Sequence, residues 1–197
     1  KTVIPKLSST EEEALNAGNT WLEKSFFMGE PDWDKLYSIP AHALNEEEQS
    51  FIDNEVNELC RMCDEWEISQ QKDLSPEIWQ FLKDKRFFGL EISKDYGGLG
   101  FSAKAHSDIV MKIASQSCVA AVTVMVPNSL GPGELIGHYG TQAQKDKYLP
   151  ALSKGEEIPC FALTEPTAGS DATSIYASAL VIKGKINGVE TIGLELT

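Results

Sequence analysis

The sequence is short of the side chains that bind polyanions and of those that bind metals. Lys and Arg number 17 against 30 Asp and Glu, so the formal net charge is −13. Nucleic-acid binding needs clustered basic side chains, and this balance argues against a nucleic acid as the partner. The three histidines, His42, His106 and His138, stand far apart without a carboxylate or cysteine at ligand spacing. We therefore predict no metal site.

Cysteine is scarce, and long apolar runs are missing. Among the four cysteines, Cys60 and Cys63 match the C-x-x-C pattern. A redox pair belongs at a helix N-terminus, where the thiolate is stabilised, whereas this pair falls inside a predicted helix, so we interpret both as small apolar residues. No apolar run approaches the roughly 20 residues that cross a bilayer, and no signal peptide is visible at the start. Reduced thiols in a cytoplasmic protein are the expectation.

Helix signals dominate the chain as far as about residue 157. N-terminal caps are predicted at Thr10, Asn45, Ser75, Ser102 and Thr141. Behind the second cap, steps of four and three predict one buried face that consists of Ile52, Val56, Leu59, Cys63 and Trp66. The acidic runs 11–13 and 46–48 are interpreted as solvated helix starts. Residues 30–44, with two prolines and two aromatic residues, are predicted to form an irregular arm.

Glycines mark two further features of this helical region. The helix that opens at Ser75 is predicted to end with Gly89 as its C-cap. Its predicted buried side consists of Ile78, Phe81, Leu82 and Phe88. Residues 95–102 hold three glycines in four positions, which predicts left-handed turn residues or a close backbone approach. Residues 118–126 predict a buried helix or loop wall.

After Gly155 the pattern changes from helices to strands. Residues 160–164 predict a strand, and two further strand-like runs flank Asn187-Gly188, the strongest short signal for a hairpin. We therefore predict an α+β fold in which an all-α domain precedes the first strands of an all-β domain. The predicted segments are 1–44 (helix and arm), 45–157 (helical domain) and 158–197 (start of the β domain).

Residues 161–171, Phe-Ala-Leu-Thr-Glu-Pro-Thr-Ala-Gly-Ser-Asp, are the most informative segment of the chain. A short apolar strand runs into a turn of Pro, Gly and small residues, which leaves backbone N–H groups free beside small polar side chains. Such a nest suits a flat, phosphate-bearing ligand. From this loop alone, a surface turn with an Asx or Ser cap is the alternative.

This segment resembles the flavin-binding signature of acyl-CoA dehydrogenases, a hydrophobic strand followed by Thr-Glu-Pro-x-Ala-Gly-Ser-Asp. Residues 96–100 resemble the family's Tyr-Gly-Gly-Leu-Gly turn, and residues 138–150 resemble the segment before its β domain. Residues 127–135 and the arm around Trp33 are most similar to the large, inner-membrane-associated bacterial long-chain enzymes of fatty-acid β-oxidation. The resemblance covers nearly the whole chain and implies a fragment that stops early in a β-barrel-like middle domain.

The resemblance implies FAD as the cofactor. The implied cofactor-binding residues are Phe161, Ala162, Leu163, Thr164, Gly169 and Ser170. Thr164 would bond the pyrimidine edge of the flavin, and Gly169 and Ser170 would meet the pyrophosphate. Ser170 would also face the acyl-CoA substrate. The position of Glu165 in the turn suggests a structural role rather than that of the catalytic base.

The implied reaction is α,β-dehydrogenation of a medium- or long-chain fatty acyl-CoA. The family's base is a Glu of a C-terminal helical domain, expected after residue 197, so no catalytic residue and no activity are expected of this fragment. An electron-transfer flavoprotein or equivalent acceptor, a homo-oligomer and a segment ahead of residue 1 that attaches to the inner membrane are further expectations. The alternatives are a flavin-dependent acyl-CoA oxidase or monooxygenase on the same scaffold, and a noncatalytic helical interaction module.

Overall fold

The structure is a computed structural model. It describes residues 13, 16, 17, 22–129, 131–160, 163–166, 168, 169, 171 and 174–197, without the side chains of Phe27 and Ile186. The chain divides into two compact units. The helical unit is Ala41–Phe161, and the second unit comprises Lys1–Pro40 with Ala162–Thr197.

Helices are the main regular structure of the described chain. In order, they are α1 (Glu23–Phe27), α2 (Trp33–Ser38), α3 (Glu46–Phe51), α4 (Asn57–Met62), α5 (Glu65–Gln71), α6 (Pro76–Asp84), α7 (Ala103–Ala114), α8 (Cys118–Asn128), α9 (Pro132–Tyr139) and α10 (Gln142–Ser153). A π-helical segment, Ile52–Val56, lies between α3 and α4, and 3₁₀ turns lie at Phe87–Gly89 and Lys94–Tyr96. Two strands, β1 (Ala179–Ile186) and β2 (Val189–Leu196), follow.

The predicted helix starts are confirmed wherever the structure describes them. Side-chain caps are present at Asn45, Ser75, Ser102 and Thr141. At α3 the cap is a reciprocal capping box, in which Asn45 accepts from the backbone N–H of Glu48 and Glu48 accepts from that of Asn45, each at 2.9 Å. The cap predicted at Thr10 lies outside the described residues.

A continuous apolar core holds the helical unit together. Its fully buried side chains include Val56, Leu59, Leu82, Phe87, Phe88, Leu90, Ile109 and Ile113. Phe51 packs on Phe87 and Phe101 with ring centroids 5.0 and 5.3 Å apart. Because each such side chain contributes about 1.5–3 kcal/mol on burial, this core explains why so many short helices hold one arrangement.

Glu48 links the starts of two helices. It is 2% exposed, and its carboxylate accepts from the backbone N–H of Ser102 at 2.7 Å as well as from Asn45. Burial by itself would raise the pKa of Glu48, but the donors at Ser102 and Asn45 outweigh it and hold the pKa below its ordinary value. The prediction that residues 46–48 are all solvated is therefore wrong at Glu48.

Asn128 is the second buried polar link. Its side-chain oxygen accepts from the N–H of Leu90 at 2.8 Å, and its amide nitrogen donates to the carbonyls of Phe87 and Val124 at 2.7 and 2.8 Å. The end of α8 is therefore tied to the 3₁₀ turn that follows α6. All of these groups are buried, so each hydrogen bond offsets a desolvation cost.

The glycine-rich turn confirms the predicted backbone conformation. Gly97 and Gly100 have φ angles of +80° and +62°, which side-chain-bearing residues rarely adopt. A Cβ atom at Gly98 would lie 2.1 Å from the carbonyl oxygen of Ile92. Both predicted reasons for glycine, left-handed geometry and close approach, operate within residues 96–100.

The predicted hairpin is also confirmed. β1 and β2 are antiparallel, with Ile186 opposite Val189 next to the turn and Lys185 opposite Glu190 in the following pair. Asn187 and Gly188 have φ angles of +52° and +80°, the pattern of a type I′ turn. Several large apolar side chains of this hairpin are exposed: Leu180, Val181, Val189, Ile192, Leu194 and Leu196.

Trp66 corrects the predicted buried face. Ile52, Val56, Leu59 and Cys63 are buried, but Trp66 is 73% exposed. The helix ends at Met62, and Asp64 caps a new one by accepting from the N–H groups of Trp66 and Glu67. The helical period therefore restarts between Cys63 and Trp66.

Three other predictions need correction. Gly89 is not a C-cap, because α6 ends at Asp84 with Lys85 in that position. Phe81 is only partly buried. The arm at 30–44 is not wholly irregular, because it contains α2, which Asp32 caps.

One stretch, Cys118–Tyr139, is long and apolar enough by composition to cross a membrane. It is divided into α8 and α9, with Pro132 in the first turn of the second helix. Ala120 and Val124 are fully buried in the core of the helical unit. This stretch therefore has the features of a packed core helix followed by a break, in line with the predicted buried helix.

Candidate functional site

The candidate loop follows the helical unit in sequence and is built on a tight turn. Glu165 and Ala168 pair in both directions: the N–H of Glu165 donates to the carbonyl of Ala168 at 2.9 Å, and the N–H of Ala168 donates back at 3.2 Å. Ala168 is 4% exposed. The backbone therefore reverses direction between these two residues.

The side chain of Glu165 also makes contacts beyond this turn. Its Oε2 atom accepts from the N–H of Tyr176 at 3.0 Å, and its Oε1 atom accepts from the N–H of Ala177 at 2.9 Å. With both oxygens occupied by backbone donors, this carboxylate is poorly suited to abstract a proton. The geometry agrees with the structural role suggested from the sequence.

The predicted cofactor-binding residues fall into two groups. Leu163 is 47% exposed, Thr164 and Gly169 are exposed, and no described atom lies within 4 Å of a Cβ atom built on Gly169. The other three, Phe161, Ala162 and Ser170, lie outside the described residues. The predicted strand at 160–164 is not formed at Cys160, Leu163 or Thr164, which have no regular structure.

These described residues fit a flavin. An exposed leucine offers an apolar surface, a threonine offers a hydroxyl and an N–H donor, and a glycine with open space permits close approach of a phosphate to the backbone. Glu165 is turned to the backbone at 176–177, so its negative charge is engaged by two donors. The assignment of Leu163, Thr164 and Gly169 to the cofactor stays a prediction.

A row of exposed apolar side chains on α8 was missed from the sequence. Val119, Val122 and Met125 recur every three residues and are each more than a third exposed, whereas Ala120 and Val124 on the same helix are buried. The helix is apolar on all sides, so its periodicity did not distinguish the core face from the exposed face. The exposed row could bind an apolar ligand or another part of the protein.

The cysteines show no sign of redox chemistry. Burial raises the pKa of Cys63 to about 11, and burial also raises the pKa of Cys60. A reactive thiolate requires the opposite shift. Cys118 and Cys160 are exposed, and all four thiols are free.

Comparison with known proteins identifies the helical unit. The acyl-CoA dehydrogenase N-terminal domain matches residues 41–156. The very long-chain specific acyl-CoA dehydrogenase of Homo sapiens mitochondria is 32% identical over 181 residues, which are 89% of this chain and 27% of that protein. This chain therefore spans about a quarter of the length of that relative.

Solved structures share the fold. Butyryl-CoA dehydrogenase from Megasphaera elsdenii is 23% identical, with a TM-score of 0.59 over 78% of this chain and 40% of its own. The FAD complex of PigA is 22% identical, with a TM-score of 0.60 over 74% of this chain and 40% of its own. The predicted architecture, a helical domain followed by antiparallel strands, is thereby confirmed. The chain belongs to the acyl-CoA dehydrogenase family, whose cofactor is FAD.

Proposed function

We propose that this chain supplies part of the flavin site of an FAD-dependent dehydrogenase that oxidises medium- or long-chain fatty acyl-CoA in β-oxidation. The observation that carries the proposal is the loop at 163–169. It presents Leu163, Thr164 and Gly169 outwards while Glu165 is held by backbone donors. An apolar surface, hydrogen-bond donors and an open backbone suit a flavin and its pyrophosphate.

Different residues of the loop would contact different parts of FAD. Leu163 excludes water from one side of the flavin ring, and Thr164 donates to its pyrimidine edge, where donors stabilise negative charge. Gly169 and Ser170 would meet the pyrophosphate, and Ser170 would also face the acyl-CoA. When bound, FAD supplies the acceptor for the hydride that leaves the β carbon of the acyl chain. The α proton goes to the glutamate of a C-terminal helical domain that the family resemblance implies, and Glu165, whose two oxygens accept from backbone donors, is not that base.

The exposed row on α8 supports a fatty substrate. Val119, Val122 and Met125 form an apolar strip on the helical unit, and six residues of helix extend about 9 Å. An alkyl chain that lies along such a strip gains about 0.8 kcal/mol for each methylene removed from water. A medium or long chain gains more from this surface than a butyryl chain.

Partners and location belong to the same proposal. We place the protein in the cytoplasm, with attachment to the inner membrane through a segment ahead of residue 1. Free thiols at all four cysteines support a reducing compartment. We also propose a homo-oligomer and electron transfer to an electron-transfer flavoprotein or equivalent acceptor.

The test is spectroscopic and uses the full-length protein. We expect a yellow preparation whose flavin absorbance is bleached without oxygen by octanoyl-CoA and palmitoyl-CoA, and more slowly by butyryl-CoA. Rapid reoxidation by oxygen with formation of peroxide would instead support the acyl-CoA oxidase. A colourless protein that does not bind added FAD would support the noncatalytic interaction module and would reject the dehydrogenase.

A further inference from the structure

We propose that Glu165 is the positioning residue of the flavin loop. Its carboxylate fastens the loop to the backbone at Tyr176 and Ala177 and so holds Thr164 and Gly169 in place for the cofactor. The inference rests on the flavin-binding function proposed above. It adds a residue that would act on FAD without touching it.

Both carboxylate oxygens take part in this attachment. They accept from Tyr176 and Ala177 at 3.0 and 2.9 Å, across eleven and twelve positions of the chain. Hydrogen bonds to a charged acceptor are about twice as strong as neutral ones. Two parallel bonds also fix the orientation of the carboxylate, which a single bond leaves free to rotate.

The backbone of Glu165 places the two ends of the loop. Its reciprocal pairing with Ala168 closes the turn. Thr164 immediately precedes Glu165, and Gly169 immediately follows Ala168, so the predicted flavin contacts stand just outside this pair on both sides. A shift of Glu165 therefore moves both contacts together.

The attachment point leads directly into regular structure. Next to Ala177, Ser178 pairs with Thr197 through two backbone hydrogen bonds of 3.0 Å each, immediately before the ladder of β1 and β2 begins. Glu165 therefore connects the loop to the end of the hairpin ladder.

The experiment compares Glu165→Gln with Glu195→Gln in the full-length protein. Both changes remove one negative charge from the same unit, but Glu195 is exposed on β2. The glutamine at 165 keeps one acceptor and loses the other, so we expect about a tenfold rise in the dissociation constant of FAD, equivalent to about 1.4 kcal/mol. We also expect faster hydrogen exchange at the amides of Tyr176 and Ala177 and a changed visible circular dichroism of bound flavin. The control should match the wild type in all three.

Two results with the variant would overturn the inference. Unchanged exchange at both amides would show that the carboxylate does not hold them, and faster exchange with unchanged FAD affinity and flavin spectrum would show that holding them does not position the cofactor. Failure of the wild-type protein to bind FAD would reject the proposed function itself, and this result is visible before any variant is made. If Glu165→Gln does not fold, hydrogen exchange is measured in the wild-type protein with FAD bound. Fast exchange at the amides of Tyr176 and Ala177 would then show that the carboxylate does not hold them.

Discussion

The helical unit and the hairpin differ in how they use apolar side chains. Ile109 on α7 is fully buried, whereas Ile192 on β2 is 72% exposed. The helical unit has a core of its own, while an isolated two-stranded hairpin is marginally stable at best in water. The comparison teaches that residues 41–161 contain most of what stabilises them, and that the apolar residues of the hairpin contribute little within this chain.

Two glutamates repeat this contrast with the same chemistry. Glu48 and Glu165 each accept from two backbone N–H groups with separate carboxylate oxygens. Glu48 is buried between two helix starts and serves stability, whereas Glu165 is partly exposed beside residues predicted to bind a ligand. The surroundings decide which role the same arrangement serves.

The largest effect is expected from a substitution in the core of the helical unit. Ile109→Ala removes a fully buried side chain and should lower the free energy of unfolding by about 2–5 kcal/mol. Ile192→Ala, the same chemical change on an exposed position, should stay within about 0.5 kcal/mol. Urea unfolding of the 197-residue chain measures both. Equal losses would show that the hairpin has a packed face in solution.

A smaller effect is expected at the glycines. Gly98→Ala places a methyl group 2.1 Å from the carbonyl oxygen of Ile92, so the turn must shift at a cost of about 1–3 kcal/mol. Gly193→Ala on β2 meets no described atom within 4 Å and should be neutral. Thermal melting of the two variants gives the comparison, and a neutral Gly98→Ala would contradict the close approach.

The next prediction concerns the fall in the free energy of unfolding at acid pH. Because the pKa of Glu48 is lowered from 4.5 in the folded protein, its contribution is present above about pH 4.5 and is lost as pH falls through the lowered pKa. Glu48→Gln should cost about 1–2 kcal/mol at pH 7, since one buried donor loses its acceptor. It should also flatten the fall in stability below pH 4.5. Glu195→Gln should change neither the stability at pH 7 nor its fall below pH 4.5, and unfolding curves between pH 3 and 7 check this.

The smallest effect is expected from a substitution in the turn of the hairpin. Gly188 has a φ of +80°, so Gly188→Ala should destabilise the turn by about 1 kcal/mol. Because the hairpin lacks a core, the loss should appear as faster amide exchange in β1 and β2 rather than as a lower global stability. Slower exchange in both strands would contradict the type I′ turn.

Local signals made much of the fold predictable. The caps at Asn45, Ser75, Ser102 and Thr141 act within three residues, and the turn at Asn187-Gly188 depends on its own dihedral angles. None of these features depends on a distant partner. Their positions in the structure agree with the predictions for that reason.

Features that depend on distant contacts were not predictable. The carboxylate of Glu48 accepts from the N–H of Ser102, which lies 54 positions further along the chain. Trp66 was misplaced because one residue, Asp64, restarts the helix. In the candidate site, the sequence predicted a turn and suggested that Glu165 is structural, but its partners at Tyr176 and Ala177 could only be located in three dimensions.

The open turn at Asn187-Gly188 has a practical consequence. No described atom lies within 4 Å of a Cβ atom built on Gly188 or on Gly184, so the bend is reached from outside without disturbing a packed neighbour. Short inserts are best tolerated at such tips. A purification tag or fluorescent reporter inserted into this bend would report on the two strands from the turn that joins them.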